Sequence, residues 1–434
     1  MSSKDTSMVS IASCLPIELL DKIFNNVNEI SFDDIHAVSL VSHLWRGPAL
    51  RYLFAKADFG TRNDFERWNA IGASQIGPLA LGMVRHVEFA PGERQKWRAL
   101  RALRERFGDE TAWKRFMATY ANVLNVTGSS VEMTLPPHDS TPLPPMPFVR
   151  TLSWNLLKAD KRSSLGFTPA TARFLSCFPR VTELNVDDII HANDLRMMLS
   201  AFPCLRSLTW IGGVLEEDRK HIVPFTGDLS HLEVLDLTVL TPEFGDHADL
   251  DWLLEDILRR GPPPLRRISF AQHGVPFSVT GFTRLLSSAS HTLQELSFEP
   301  ASSFDPEWQT LPATVSQVTL PALRTFSILN MGAVADEPDL SELQWAAACL
   351  PDAPFLEEIQ LHFRIRGRPT DIFNEDFIDW VAFSSRIRSY SSLRSLTLVM
   401  YRLPRLKDSE KECTMACARE RLVSLADRVK FVWA

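Results

Sequence analysis

The chain has 434 residues, 45% of them hydrophobic, with 46 Lys and Arg against 53 Asp and Glu and a formal net charge of −7. This length implies two or three domains or one long repeat array, with enough apolar residues for a large core. The acidic balance argues against a general nucleic-acid binder. No apolar run approaches the roughly 18 residues of a membrane span, and no basic-then-apolar leader is present. Six cysteines (Cys14, Cys177, Cys204, Cys349, Cys413 and Cys417) are spread thinly with no C-x-x-C spacing, so reduced thiols in a cytoplasmic or nuclear compartment are expected.

Taken in chain order, Cys14–Phe59 predicts three short amphipathic helices. Pro16 suits a first turn, where its missing N–H is no loss. Leu19, Leu20, Ile23, Phe24 and Val27 then recur on one helical stripe. A second helix is predicted to open at Ser31–Asp33, to carry Ile35, Val38, Val41, Leu44 and Trp45, and to end at Gly47-Pro48. A third carries Leu50, Leu53 and Phe54. A unit this small needs apolar cover from a neighbour.

These residues resemble the F-box motif. Its first half is matched by Leu15, Pro16, Glu18, Leu19, Leu20, Ile23 and Phe24, and its second half by Val38, Ser39, Leu40, Val41, Ser42, Trp45 and Arg46. The hinge Asn28–Phe32 lacks the family's proline-containing turn. The resemblance covers about a tenth of the chain and implies docking on a Skp-family adaptor, and through it on a cullin scaffold. It implies adaptor contacts from Leu15, Pro16, Leu19, Leu20, Ile23, Phe24, Val38, Leu40, Val41 and Trp45, some of which must instead pack the helices together. Residues 60–80 read as a linker.

Further on, a six-residue phrase, apolar-x-x-apolar-x-apolar, keeps returning. Weaker copies start at Val84 and Val149, and clear ones at Val181, Leu205, Leu232, Leu265, Leu293, Leu323, Leu356 and Leu393. Starts from Val181 are 24, 27, 33, 28, 30, 33 and 37 residues apart, a solenoid period. Helical patterns fill the gaps at 171–178, 192–202, 248–260, 282–290, 340–350 and 374–386, with a last helix near 409–425 and a closing strand at Val429–Trp433. The fold expectation is therefore α/β: a helical head at 11–59, then an irregular solenoid over 81–434 with parallel inner strands and outer helices. This part resembles the leucine-rich repeat family, although the Asn or Cys that follows the third apolar position there is largely absent, with Gly213 and His273 in its place in two units.

Residues alternating with the apolar ones face the opposite side of a strand. They form a polar, hydroxyl-rich set: Glu183 and Asn185, Ser207 and Thr209, Val234 and Asp236, Arg267 and Ser269, Glu295 and Ser297, Thr325 and Ser327, Glu358 and Gln360, Ser395 and Thr397. Solenoids bind partners on this face, so it is the candidate surface for a protein substrate.

Other features carry less. Arg94–Arg115 mixes basic, aromatic and acidic residues and reads as a solvated helical face. Leu135–Phe148 is proline-rich and reads as an extended surface loop. The adjacent His138, Asp139 and Ser140 do not make a triad, which is assembled from separate elements. Asn125-Val126-Thr127 matches a glycosylation acceptor that the compartment argument leaves idle. No nucleotide-loop, zincin or nucleophile-elbow motif occurs, and no metal-ligand spacing joins the histidines and cysteines. The expectation is a non-catalytic receptor subunit without cofactor, metal, nucleic-acid or membrane partner. Two alternatives stand beside it: a repeat scaffold whose head only caps the first repeat, and an α/β enzyme without a recognisable motif.

Overall fold

The computed structural model describes residues 15–30, 43–60, 62–90, 143–155, 169–187, 190–215, 225–240, 250–273, 279–299, 306–333, 348–365, 369–373, 380–401, 407–425 and 427–433, with isolated residues at 35, 37, 39 and 40. The stretches at 94–115 and 125–127, the triplet His138-Asp139-Ser140, Val38, Val41 and most of 340–350 lie outside the described residues. The protein is α/β, with repeated strands that pair in parallel and helices between them. It divides into two compact units at Leu184/Asn185, inside a strand.

The first unit opens with α1 (Ile17–Ile30) and α2 (His43–Leu53). Leu20, Phe24, Ile35 and Ala49 form a small buried core against which Leu15, Trp45, Tyr52 and Leu53 pack. Phe24 sits edge-on to Trp45, ring centroids 5.9 Å apart, and the Tyr52 hydroxyl donates to the Asp21 carbonyl at 3.0 Å. Pro48 does not end a helix as expected; it lies inside α2. It forfeits one backbone bond close to the helix start, and its ring is buried in exchange. The separate second and third helices expected across Gly47-Pro48 are therefore one continuous helix there.

Residues 60–80 are not an unstructured linker. After β1 (Lys56–Phe59) come α3 (Arg62–Ala73) and α4 (Gly77–Met83), and then β2 (His86–Phe89). β1 pairs in parallel with β2, and β2 with β3 (Thr151–Asn155). An aromatic core lies beneath: Phe59, Phe65, Phe89 and Trp154 surround Phe174 of α5 (Pro169–Ser176). The end of the proline-rich stretch also departs from expectation. Leu143 and Met146 are buried, and Met146 N–H donates to the Cys177 carbonyl at 2.9 Å. Two apolar side chains between prolines give this segment a reason to pack rather than to loop out.

The boundary strand is β4 (Glu183–Asp187). The second unit continues through β5 (Ile190–His191), α6 (Ala192–Ser200), β6 (Ser207–Gly212), β7 (Val214–Leu215), β8 (Val234–Leu240), α7 (Asp251–Leu258), β9 (Arg267–His273), α8 (Val279–Ala289) and β10 (Glu295–Glu299). Then follow α9 (Pro306–Gln317), β11 (Thr325–Ala333), β12 (Glu358–Ile365), α10 (Trp380–Arg388), β13 (Ser395–Tyr401), α11 (Asp408–Arg421) and β14 (Val429–Trp433). Strands β6, β8, β9, β10, β11, β12, β13 and β14 pair in that order, all in parallel. Each clear phrase start in this unit leads into one of them, and the closing strand is present. β5 and β7 form a separate parallel pair, and the Gly213 carbonyl accepts from Ile190 N–H at 2.9 Å.

The helices bury one face each, as their apolar spacing dictates. In α8 this face is Gly281, Phe282, Leu285, Leu286 and Ala289. A Cβ on Gly281 would stand 3.2 Å from Leu254, so glycine is what lets α8 approach α7 closely. Arg196 of α6 crosses to Asp256 of α7 at 2.7 Å and lies 4.9 Å over the Trp252 ring, with Arg259 on the second Asp256 oxygen at 2.6 Å. In β11 one extra residue between Ile328 and Met331 shifts the register. That bulge turns Met331 inward, 1% exposed, opposite the buried Phe363.

The missing Asn ladder has a backbone substitute. The carbonyl at the second phrase position accepts two N–H groups from the next repeat. Arg206 O takes those of Glu233 and Val234 at 2.7 and 2.9 Å, and Glu233 O takes those of Arg266 and Arg267 at 2.7 and 3.1 Å. Arg266, Gln294, Arg324 and Glu357 repeat the device, as do Ala55, Arg85 and Arg150 in the first unit. A four-residue turn precedes most of these strands: Leu205 N–H returns to Phe202 O, Leu323 to Leu320 and Leu356 to Ala353, whereas Leu293 returns to Ala289. Pro203, Pro321 and Pro354 occupy the first central turn position, which proline's fixed φ suits.

Candidate binding surfaces

Two surfaces follow from the packing. On the helical head, burial separates the residues of the first motif. Leu20 and Phe24 are internal, at 4% and 0% exposure, while Leu19 is 45% and Leu40 64% exposed. Pro16 is exposed, and Leu15, Ile23 and Trp45 are half-buried. Val38 and Val41 lie outside the described residues. Exposed leucines on a small helical unit are the apolar contribution that a docking partner would cover.

The second surface is the polar side of the sheet. In the second unit the expected residues stand in two cross-strand rows. One row runs Ser207, Val234, Arg267, Glu295, Thr325, Glu358, Ser395. The other runs Thr209, Asp236, Ser269, Ser297, Ser327, Gln360, Thr397, Lys430. Asn185 opens this unit, whereas Glu183 belongs to the first, where its carboxylate accepts from the Thr151 hydroxyl at 2.9 Å. The rows pair internally. Arg267 meets Glu295 at 3.7 Å, and the Thr397 hydroxyl donates to Glu358 at 3.2 Å. Burial raises the Asp236 carboxyl above the usual carboxylate range, against the pull of Arg267 and a Ser269 hydrogen bond. Ser269 and Ser327 are buried, and Ser297 stands between them in the row. This floor lets an extended backbone come close, with hydroxyls to bond it.

Sequence reading stopped these rows at the end of the six-residue phrase and so missed His362 and Tyr401. The same alternation continued two and four residues further along β12 and β13 finds both. Their rings stack at 25° with centroids 5.8 Å apart. His362 Nε2 lies 3.3 Å from Gln360 Oε1, and Nδ1 lies 3.2 Å from the Tyr401 hydroxyl. The neutral tautomer with the proton on Nε2 satisfies both: Nε2 donates to the amide oxygen and Nδ1 accepts from the hydroxyl. Burial lowers the His362 pKa, in agreement with that neutral form. Tyr401 remains 37% exposed, an aromatic tip beside a hydroxyl-rich floor.

Among the described residues no cluster of three or more His, Cys, Asp or Glu could hold a metal ion, and no helix is long and apolar enough to cross a membrane. The five described cysteines are free thiols. No family model matches the chain, and no curated protein matches it either.

Proposed function

We propose that this chain is the substrate-recognition subunit of an SCF-type cullin-RING ubiquitin ligase. In this reading an F-box head docks a Skp-family adaptor, and a leucine-rich-repeat-like sheet face holds a protein substrate. The chain performs no chemistry itself and raises the local concentration of substrate near the ubiquitin-loaded enzyme. The observation that carries the reading is the split in the head. Leu20 and Phe24 supply a self-contained core, while Leu19 and Leu40 of the same motif stay 45% and 64% exposed. Covering those two leucines is a gain that a docked adaptor would supply. The alternative scaffold reading has one observation behind it, the contact of α2 with α4, which is how a cap would sit.

Co-purification with the Skp-family adaptor tests the reading, using the full chain and a chain lacking residues 1–54, which keeps β1. Adaptor recovered with the full chain alone supports the receptor. Adaptor recovered with neither, from folded protein, puts the scaffold reading first.

A further inference from the structure

The second phrase position lies at the rim where each strand begins, and its side chains are exposed or half-exposed. In the second unit every arginine at this position has a carboxylate partner. Arg206 and Arg266 flank Glu233 at 3.0 and 3.9 Å, and Arg324 and Arg394 flank Glu357 at 3.0 and 3.2 Å. Strands stand about 4.8 Å apart, so like charges at this position would repel, and alternation removes the problem.

The first unit breaks the alternation. Its rim carries Arg85 and Arg150, with Thr182 at the next second position, and Arg180, two residues ahead of Thr182, adds a third exposed arginine beside them. Among the described residues no carboxylate pairs with any of the three. Two of them are nevertheless held in place. Arg85 Nη1 donates to the Gly82 and Val84 carbonyls at 2.7 and 3.0 Å, and its guanidinium lies 5.2 Å from the Phe148 ring centroid. Arg150 Nη1 donates to the Arg180 carbonyl at 3.4 Å. Only one Nη of each is used, so the rest of each fork stays available. Phe148 itself is 42% exposed.

We propose that this rim of the first unit binds an acidic, carboxylate-bearing segment of a partner protein. Guanidinium forks suit carboxylates, and an extended peptide presents same-side residues about 6.7 Å apart, within reach of successive arginines. The site is small and sits on a chain of net charge −7. A nucleic acid, with its continuous phosphate charge, would meet repulsion beyond these three residues, and a short acidic peptide does not. The surface is distinct from the helical head and from the polar sheet face, and it does not depend on the ligase reading.

The test is fluorescence anisotropy of the full chain with a labelled peptide of alternating Glu and Ser. Expected is binding that weakens with salt. The combined Arg85→Gln, Arg150→Gln and Arg180→Gln chain should bind at least about tenfold more weakly, and Arg150→Gln alone, which gives up only the long bond to Arg180, about threefold more weakly. An unchanged urea midpoint in the single and in the triple variant separates lost binding from lost folding. Absence of binding by the unaltered chain, equal binding by the triple variant, or tighter binding of a single-stranded oligonucleotide of equal charge would overturn the proposal.

Discussion

Replacing Leu19 and Leu40 together with Ala tests the ligase reading at the two residues that the fold leaves uncovered. Fully burying a leucine side chain is worth about 1.5–3 kcal/mol. With 45% and 64% of the two residues still exposed, covering them in a complex adds about 1.6–3.3 kcal/mol in total, or roughly 15- to 250-fold in affinity. The folded chain itself loses little, because these surfaces are already in water. Phe24→Ala makes the contrast. Phe24 is fully buried against Trp45 and Tyr52, so its truncation costs about 3–5 kcal/mol of stability in the head. Calorimetric titration of adaptor into each protein, with thermal unfolding followed in parallel, gives the two readouts. The double-leucine variant should lose affinity at an unchanged melting transition, and Phe24→Ala should lose both. Full adaptor affinity in the double-leucine variant would refute the docking role assigned to these residues.

Two further outcomes follow from local geometry. A Cβ on Gly77 would meet backbone, 2.7 Å from the Ile71 carbonyl oxygen and closer still to that of Gly72, whereas one on Gly82 would meet nothing within 4 Å. Urea titration should find Gly77→Ala destabilised by about 1–3 kcal/mol and Gly82→Ala unchanged or stabilised by up to about 1 kcal/mol; equal effects would show that α3 and α4 do not pack this closely. His362 gives a pH signature. Burial keeps its folded pKa below the ordinary 6.5, so as pH falls through about 6.5 the unfolded chain takes up a proton that the folded chain does not. Stability therefore drops below that pH and has no contribution from this group above it. His362→Phe, which keeps an aromatic ring against Tyr401, should flatten the slope of urea midpoint against pH on the acid side, and an unaltered slope would rule out this source.

The sequence made the strands legible because each carries two kinds of information at once. The phrase beginning at Leu265, for example, sets Leu265, Ile268 and Phe270 on one side and Arg267 and Ser269 on the other. Both assignments hold in the structure. Where reading failed, composition misled. Residues 60–80 hold Gly72, Gly77 and Pro78, a composition that suits a linker, yet a Cβ on Gly77 would meet the backbone of α3. Pro48 and Pro312 look like helix stops and lie inside α2 and α9. Propensity is a local quantity, and burial of one helical face overrides it. The exposure of Leu19 beside a buried Leu20 was not legible at all. Both fit the apolar stripe, and only the position of Ile35 and Ala49 decides which is covered.

The rim charges connect the backbone device to what the surface can bind. A repeat held by a side-chain ladder must keep the same residue in every copy. Here successive strands are held by a main-chain oxygen that accepts two N–H groups, as at Arg206, Gln294 and Glu357. The side chain at that position is then free of any structural duty, which is why it is Arg, Gln or Glu from one repeat to the next. Freed in this way, the rim has its arginines paired where glutamates stand between them and unpaired where they do not, with no change in the strands beneath. Exchanging Glu233 for Gln should therefore leave the repeat spacing and the strand register intact while altering the surface potential. A variant that unfolds instead would show that the ion pairs, and not the carbonyls, hold the repeats together. The exposed geometry of the Arg206–Glu233 pair, with the Arg206 side chain at 64% exposure, argues for the carbonyls.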